Sequence, residues 1–198
     1  MEYMEERQKL LYMISDLWER RLTNAAGGNL SMRVGENRML LSPSMMSEHK
    51  HCRIGIEEIL LTDFDCNILE GSGKLSREGR MHAMILQNIP EVNGIIHAHP
   101  FYTMVYVAAC KPIPHVTEAT LKMGDTELIH QAKAYSEELA ENVYAYFLPK
   151  REQLKSTGLC GLLPYHGTVA VGKSIEQAFS IVERVEADAV CNLFGKLI

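Results

Sequence analysis

The run Gly94-Ile95-Ile96-His97-Ala98-His99-Pro100 is short and apolar and ends in two histidines one residue apart. Side chains alternate faces along a strand, so His97 and His99 point the same way, about 7 Å apart at ~3.3 Å per residue. Two imidazoles so spaced suit one divalent metal, or else the polar face of a half-buried strand. Pro100 has no N–H for a ladder bond, so the strand stops there and leaves the pair at a sheet margin open to a third ligand and a substrate. His166 is the best third ligand, because it stands at the entry of the apolar run 167–171 and Gly167 permits close backbone approach. Three imidazoles with an open position are the ordinary plan of a catalytic zinc centre. Glu78 adds a carboxylate. With Ser76 as N-cap it falls in the first turn of a helix, with His82 one turn later on the same face. That helix leads within a few residues into the His97 strand. Glu78 is therefore either a first-turn acid complementing the helix dipole or a carboxylate facing the metal as ligand, proton-transfer base or both.

These residues need elements to hold them. Leu10, Leu11, Ile14, Leu17 and Trp18 recur at helical spacing among charges, which predicts an amphipathic helix over 4–22. The segment 24–28 reads as a glycine-rich turn entering a strand at Asn29. Strands are predicted at 39–42 and 58–62, with 66–69 as a hairpin partner after Asp63-Phe64-Asp65. A polar loop fills 44–55 and contains His49, His51 and Cys52, a rival cluster with no strand to fix its geometry and so read as solvated loop. Met81, Ile85 and Leu86 mark the Ser76 helix, which Pro90 stops. Beyond the His97 strand follow a helix over 102–110, a strand over 113–116, a helix over 126–146, a strand over 167–171 and a closing helix from Ile175. Hairpin neighbours make the sheet at least partly antiparallel and covered by helices. His115 and His130 have no patterned partner and take ordinary polar roles.

The chain has 198 residues, 46% of them hydrophobic, and a net charge of -5. That bounds one domain over 1–198 with no linker or low-complexity break. Lysines and arginines are scattered and form no basic stripe, so nucleic acid is not an expected partner. Five widely spaced cysteines form no Cys-x-x-Cys pair, and no signal peptide or membrane-length apolar segment is present, so no membrane is expected. The expectation is a cytoplasmic protein with reduced thiols.

Taken together, these residues resemble the class II aldolase and adducin family. The resemblance runs from Gly27-Gly28-Asn29-Leu30-Ser31 through Ser42-Pro43-Ser44, Gly71, Ser76-Arg77-Glu78 with His82, His97-Ala98-His99-Pro100 and His166-Gly167 to a closing helix with Glu183 and Glu186. It implies an α/β fold of α+β type, a mainly antiparallel central sheet between helical layers, assembled as a homotetramer with active sites at subunit interfaces. It implies that His97, His99 and His166 hold a metal, usually Zn2+, with Mn2+ or Co2+ as other divalent choices. Glu78 matches the glutamate that binds the metal at rest and exchanges protons in turnover. Asn29, Ser44 and Ser76, with the Gly28 N–H, match residues that hold a substrate phosphate.

The implied reaction is a metal-dependent aldol cleavage or formation in a short-chain ketose phosphate or related hydroxy-ketone, through a metal-stabilised enediolate. A second proton-transfer group is needed. Glu118, Lys122 and tyrosines from a neighbouring subunit are the candidates, Glu118 being otherwise a surface acid at a helix start. Family aldolases usually carry Pro-Ser-Ser-Glu where this chain has Leu75-Ser76-Arg77-Glu78, and glycine where Met45 follows Ser44. Arg77 can replace the missing hydroxyl contact with a charge-assisted one. Epimerisation or dehydration of a sugar phosphate at the same metal site is the alternative. A non-catalytic adducin-like interaction module is disfavoured, since it has no need for three histidines around an open position.

Overall fold

The computed structural model describes residues 1–198, with every side chain except that of Lys196. Its centre is a seven-stranded sheet: β1 (Asn29–Val34), β2 (Arg38–Leu41), β3 (Leu60–Asp63), β4 (Ile68–Glu70), β5 (Gly94–Ala98), β6 (Leu159–Leu163) and β7 (Gly167–Gly172). The order is β4-β3-β2-β1-β5-β7-β6 and each neighbouring pair is antiparallel. The helices are α1 (Met4–Glu19), α2 (Met46–Lys50), α3 (Gly79–Asn88), α4 (Thr103–Ala109), α5 (Glu137–Phe147), α6 (Arg151–Leu154) and α7 (Ile175–Phe194). The architecture is the expected antiparallel sheet between helical layers.

Strand pleat decides which helix covers which face. Gly94 lies on one face of β5, and a Cβ there would sit 2.5 Å from the Ile175 Cα, so α7 packs directly on that side. Lys9–Glu176 at 2.7 Å and the Arg20–Glu183 pair tie α1 beside α7. The opposite face carries Ile95 and His97 on β5 with Asn29 and Ser31 on β1, because directly opposed residues of an antiparallel pair point the same way. Ser31 Oγ meets His82 Nδ1 of α3 at 2.7 Å, and Gly161 on β6 lies against Ile129 and Tyr146 of α5. The site residues thus lie on the α3/α5 side, while the α1/α7 layer supports the sheet from behind.

Several boundaries differ from the pattern-based expectation. The first helix ends at Glu19, where Arg21 takes φ +58° and the Leu22 N–H returns to the Leu17 carbonyl. The Ser76 helix begins only at Gly79. Ser76 Oγ accepts the Glu78 N–H at 3.3 Å, and Glu78 occupies the N-cap position instead of the first turn. The helix expected over 126–146 is confined to Glu137–Phe147, with Ser136 as its cap, and the strand at 113–116 is reduced to one bridge between Ile113 and Thr126. Glu58 sits in a 3-10 turn, so β3 starts at Leu60, and its partner β4 is Ile68–Glu70. Strand β6 and the short α6 were hidden in the stretch 148–163. β6 is buried along its whole length, so its Leu-Cys-Gly-Leu-Leu carries no alternation to announce it.

Candidate active site

Register brings the first residues together. Asn29 at the start of β1 pairs with His97 on β5, and Val169 of β7 pairs with His97 from the other side. His99 lies one residue beyond the end of β5, and His166 immediately precedes β7. Gly167 makes the junction tight: a Cβ there would lie 2.7 Å from the Ala98 carbonyl and 2.9 Å from His99 Nε2. The close approach expected of this glycine is therefore required by the His99 ring.

One ring nitrogen from each of His97, His99 and His166 lies within 4.8 Å of the others. His97 Nε2 and His99 Nε2 are 3.1 Å apart, and Glu78 comes within 3.4 Å of His97 Nε2 and 3.2 Å of His166 Nε2. Asn29 Nδ2 donates to Glu78 Oε2 at 2.6 Å. His97 Nδ1 lies 2.9 Å from the Thr168 carbonyl, which can only accept, so the proton is on Nδ1 and the Nε2 lone pair faces the cluster.

This donor set fits a divalent ion. Glu78 Oε1 is buried without a hydrogen-bond partner although His166 Nε2 is close, as expected of atoms aimed at a shared point and not at each other. Three imidazoles and a carboxylate are ligand types that suit a divalent transition-metal ion. Burial pushes the His99 ring down to about 3, with His97 and His166 adding to it, and burial likewise lowers His97. Neutral rings are the form that ligates. Burial opposes ionisation of Glu78 too, but His97, His166 and the Asn29 amide outweigh it and hold the carboxyl far below its usual range. Behind the cluster, His82 is fully buried and pushed down to about 3, chiefly by that burial.

A cleft of about 510 Å³, open mouth included, is lined by Gly28, Asn29, Ser44, Ser76, Arg77, Glu78 and all three histidines. Asn29, read from the sequence as a phosphate contact, here holds the Glu78 carboxylate. Glu118 opens a 3-10 turn and does not line the cleft of its own chain. Pattern reading missed Tyr135 and attached no role to Met45, both of which line the cleft in left-handed backbone conformation, at φ +67° and +64°. Tyr135 carried no signal, lying inside a stretch read as helix. The loop 44–55 is less solvated than expected: α2 forms within it, Cys52 is 1% exposed and His51 stacks on Trp18 at 4.8 Å. Among the described residues, only His97, His99 and His166 gather as a metal-binding group.

The family model described as the Class II Aldolase and Adducin N-terminal domain matches residues 8–193. An L-fuculose phosphate aldolase of Methanococcus maripaludis is 31% identical over 180 residues, covering 89% of each chain. A 3-oxo-tetronate 4-phosphate decarboxylase of Haemophilus influenzae is 25% identical, over 94% of this chain and 86% of its own. A solved L-fuculose 1-phosphate aldolase superposes with a TM-score of 0.83 at 28% identity, over 96% of this chain and 86% of the other.

Proposed function

Because the chain belongs to the class II aldolase and adducin family, we propose that it is a divalent-metal-dependent aldolase, a carbon–carbon lyase acting on a short-chain ketose phosphate. The observation that carries the reading is Glu78, a buried carboxylate with one oxygen held by Asn29 and the other left free among three histidines. His97, His99 and His166 would hold the ion, with Glu78 as a ligand that substrate displaces. A bound divalent ion supplies positive charge against the negative charge that builds on a ketone oxygen during cleavage. The bond between the carbon next to the ketone and the hydroxyl-bearing carbon breaks, its electron pair stays on the ketone side, and the aldehyde departs. Once displaced, Glu78 takes up a proton from water and delivers it to the carbon that kept the pair, and it removes that proton in the reverse direction.

The hydroxyl that becomes the aldehyde oxygen must lose its proton to a second group. Glu118 is assigned that role from a neighbouring copy of the chain. A homotetramer with interfacial sites belongs to the same proposal, supported by Phe101 and Tyr165, which are 65% and 68% exposed beside His99 and His166. Gly28, Asn29, Ser44, Ser76 and Arg77 would receive the substrate phosphate, Asn29 through the amide N–H that Glu78 does not use. Among the described residues no helix is long and apolar enough to cross a membrane. All five cysteines are free, and a reducing cytoplasm is the proposed location.

A panel of ketose phosphates incubated with the protein, with zinc or after chelation, tests the reaction. Aldehyde release that disappears on chelation and returns with zinc is expected, and His97→Ala should abolish it together with metal retention. The decarboxylase name of one relative makes product identity decisive. An isomeric ketose phosphate, a dehydrated product or carbon dioxide in place of aldehyde overturns the aldolase reading.

A further inference from the structure

Arg77 carries no ion pair or hydrogen bond to protein among the described residues. Its guanidinium carbon instead sits 3.8 Å from the ring centroid of Tyr135. The same ring stands edge-on to His166, with centroids 6.3 Å apart, so Tyr135 joins the rim cation to the metal-binding cluster as one wall of the cleft. The wall has rigid support. Tyr135 lies in a turn closed by the Ser136 N–H on the Lys133 carbonyl at 3.1 Å, and Ser136 Oγ then caps α5 by accepting the Leu139 N–H at 3.0 Å. At φ +67° the backbone is one that glycine adopts freely and that disfavours any residue with a Cβ. A tyrosine is nevertheless held there, and its ring faces the site.

We infer that Tyr135 is a specificity-determining residue that positions Arg77, so that the stacked pair receives the phosphate group of the substrate. This rests on the phosphorylated-substrate reading given above. Stacking uses the face of the guanidinium and leaves its N–H edge free, and that edge is what pairs with phosphate oxygens. An exposed arginine otherwise samples many rotamers and must be ordered when it binds. The Tyr135 ring removes part of that ordering in advance.

Calorimetric titration of the metal-free protein with inorganic phosphate tests the pairing without any need for turnover. Tyr135→Gly removes the ring yet suits the left-handed backbone, so the variant retains its fold, checked by circular dichroism and by zinc capacity. It should bind phosphate about two- to fivefold more weakly, the range of an exposed cation–π contact. Tyr135→Phe keeps the stack and should bind within about twofold of the unmodified protein. Arg77→Ser should lose at least as much affinity as Tyr135→Gly, and the double variant should be no weaker than Arg77→Ser alone, because the ring acts only through the arginine. Unchanged affinity in Tyr135→Gly, additive losses in the double variant, or no phosphate binding by the unmodified protein each overturn the inference. Absence of aldehyde release with intact, Tyr135-dependent phosphate binding would sink the aldolase reading while leaving this one standing.

Discussion

Glu78 has one carboxylate oxygen tied to the Asn29 amide and the other unpaired in a buried site, within 3.2 Å of His166 Nε2. That division suits a group that holds its position through one oxygen and exchanges protons through the other. Glutamine keeps the shape but cannot accept a proton as a carboxylate does. Glu78→Gln protein should therefore fold, retain metal and bind substrate, yet lose cleavage and proton exchange on the ketone product together, by roughly 10²- to 10⁴-fold. The check is isotope exchange into the ketone product alongside aldehyde release. If exchange continues at the unmodified rate, the proton passes through another residue.

The elements hold these residues through few but concentrated contacts. Glu186, on α7 behind the sheet, accepts the Tyr102 N–H at 2.8 Å, the Thr103 N–H at 2.8 Å and the Thr103 hydroxyl at 2.7 Å. A carboxylate from another helix thus satisfies the orphan donors at the start of α4, which leaves β5 directly after His99-Pro100. Glu186→Ala leaves those donors without their acceptor and should cost about 1–3 kcal/mol of stability. Urea unfolding measures this, and a midpoint equal to that of the unmodified protein would show that water replaces the cap without loss.

At the scale of the whole molecule, burying neutral histidines makes stability depend on pH. His82 and His99 are both pushed down to about 3 by burial, from an ordinary value of 6.5. Between those limits the unfolded chain binds protons that the folded chain refuses, so stability is greatest above about 6.5 and falls as pH falls. Glu78 is shifted in the other sense, below its ordinary 4.5, so its contribution is present above about 4.5 and leaves the interval from 6.5 to 4.5 to the histidines. The metal-free protein should lose about 2 kcal/mol per buried ring between about pH 7 and pH 5. His97 is lowered by burial as well, so removing one titrating ring with His82→Gln should take away about a third of that slope. Urea titrations at the two pH values check both, and a flat profile would mean that the rings are already charged in the fold.

The gathering of His97, His99 and His166 was legible in the sequence because strand alternation and a terminating proline are local rules: His97 and His99 had to share a face, and Gly167 beside His166 had to admit a close neighbour. The antiparallel sheet between helical layers was legible through the resemblance, which the family match then established. What local rules could not supply was register and approach across the chain. Asn29 became the partner of Glu78 because β1 pairs with β5 opposite His97, a contact spanning 49 positions in sequence. Ser76 yielded the N-cap to Glu78 because its hydroxyl bonds only two residues ahead, a shift of about half a turn that periodicity does not resolve. Tyr135 met Arg77 because the turn before α5 folds back over the start of α3, and nothing within either segment encodes that meeting. Covalent spacing and side-chain chemistry act over a few residues and determined which groups were available; the packing of two helical layers on one sheet decided which of them face each other.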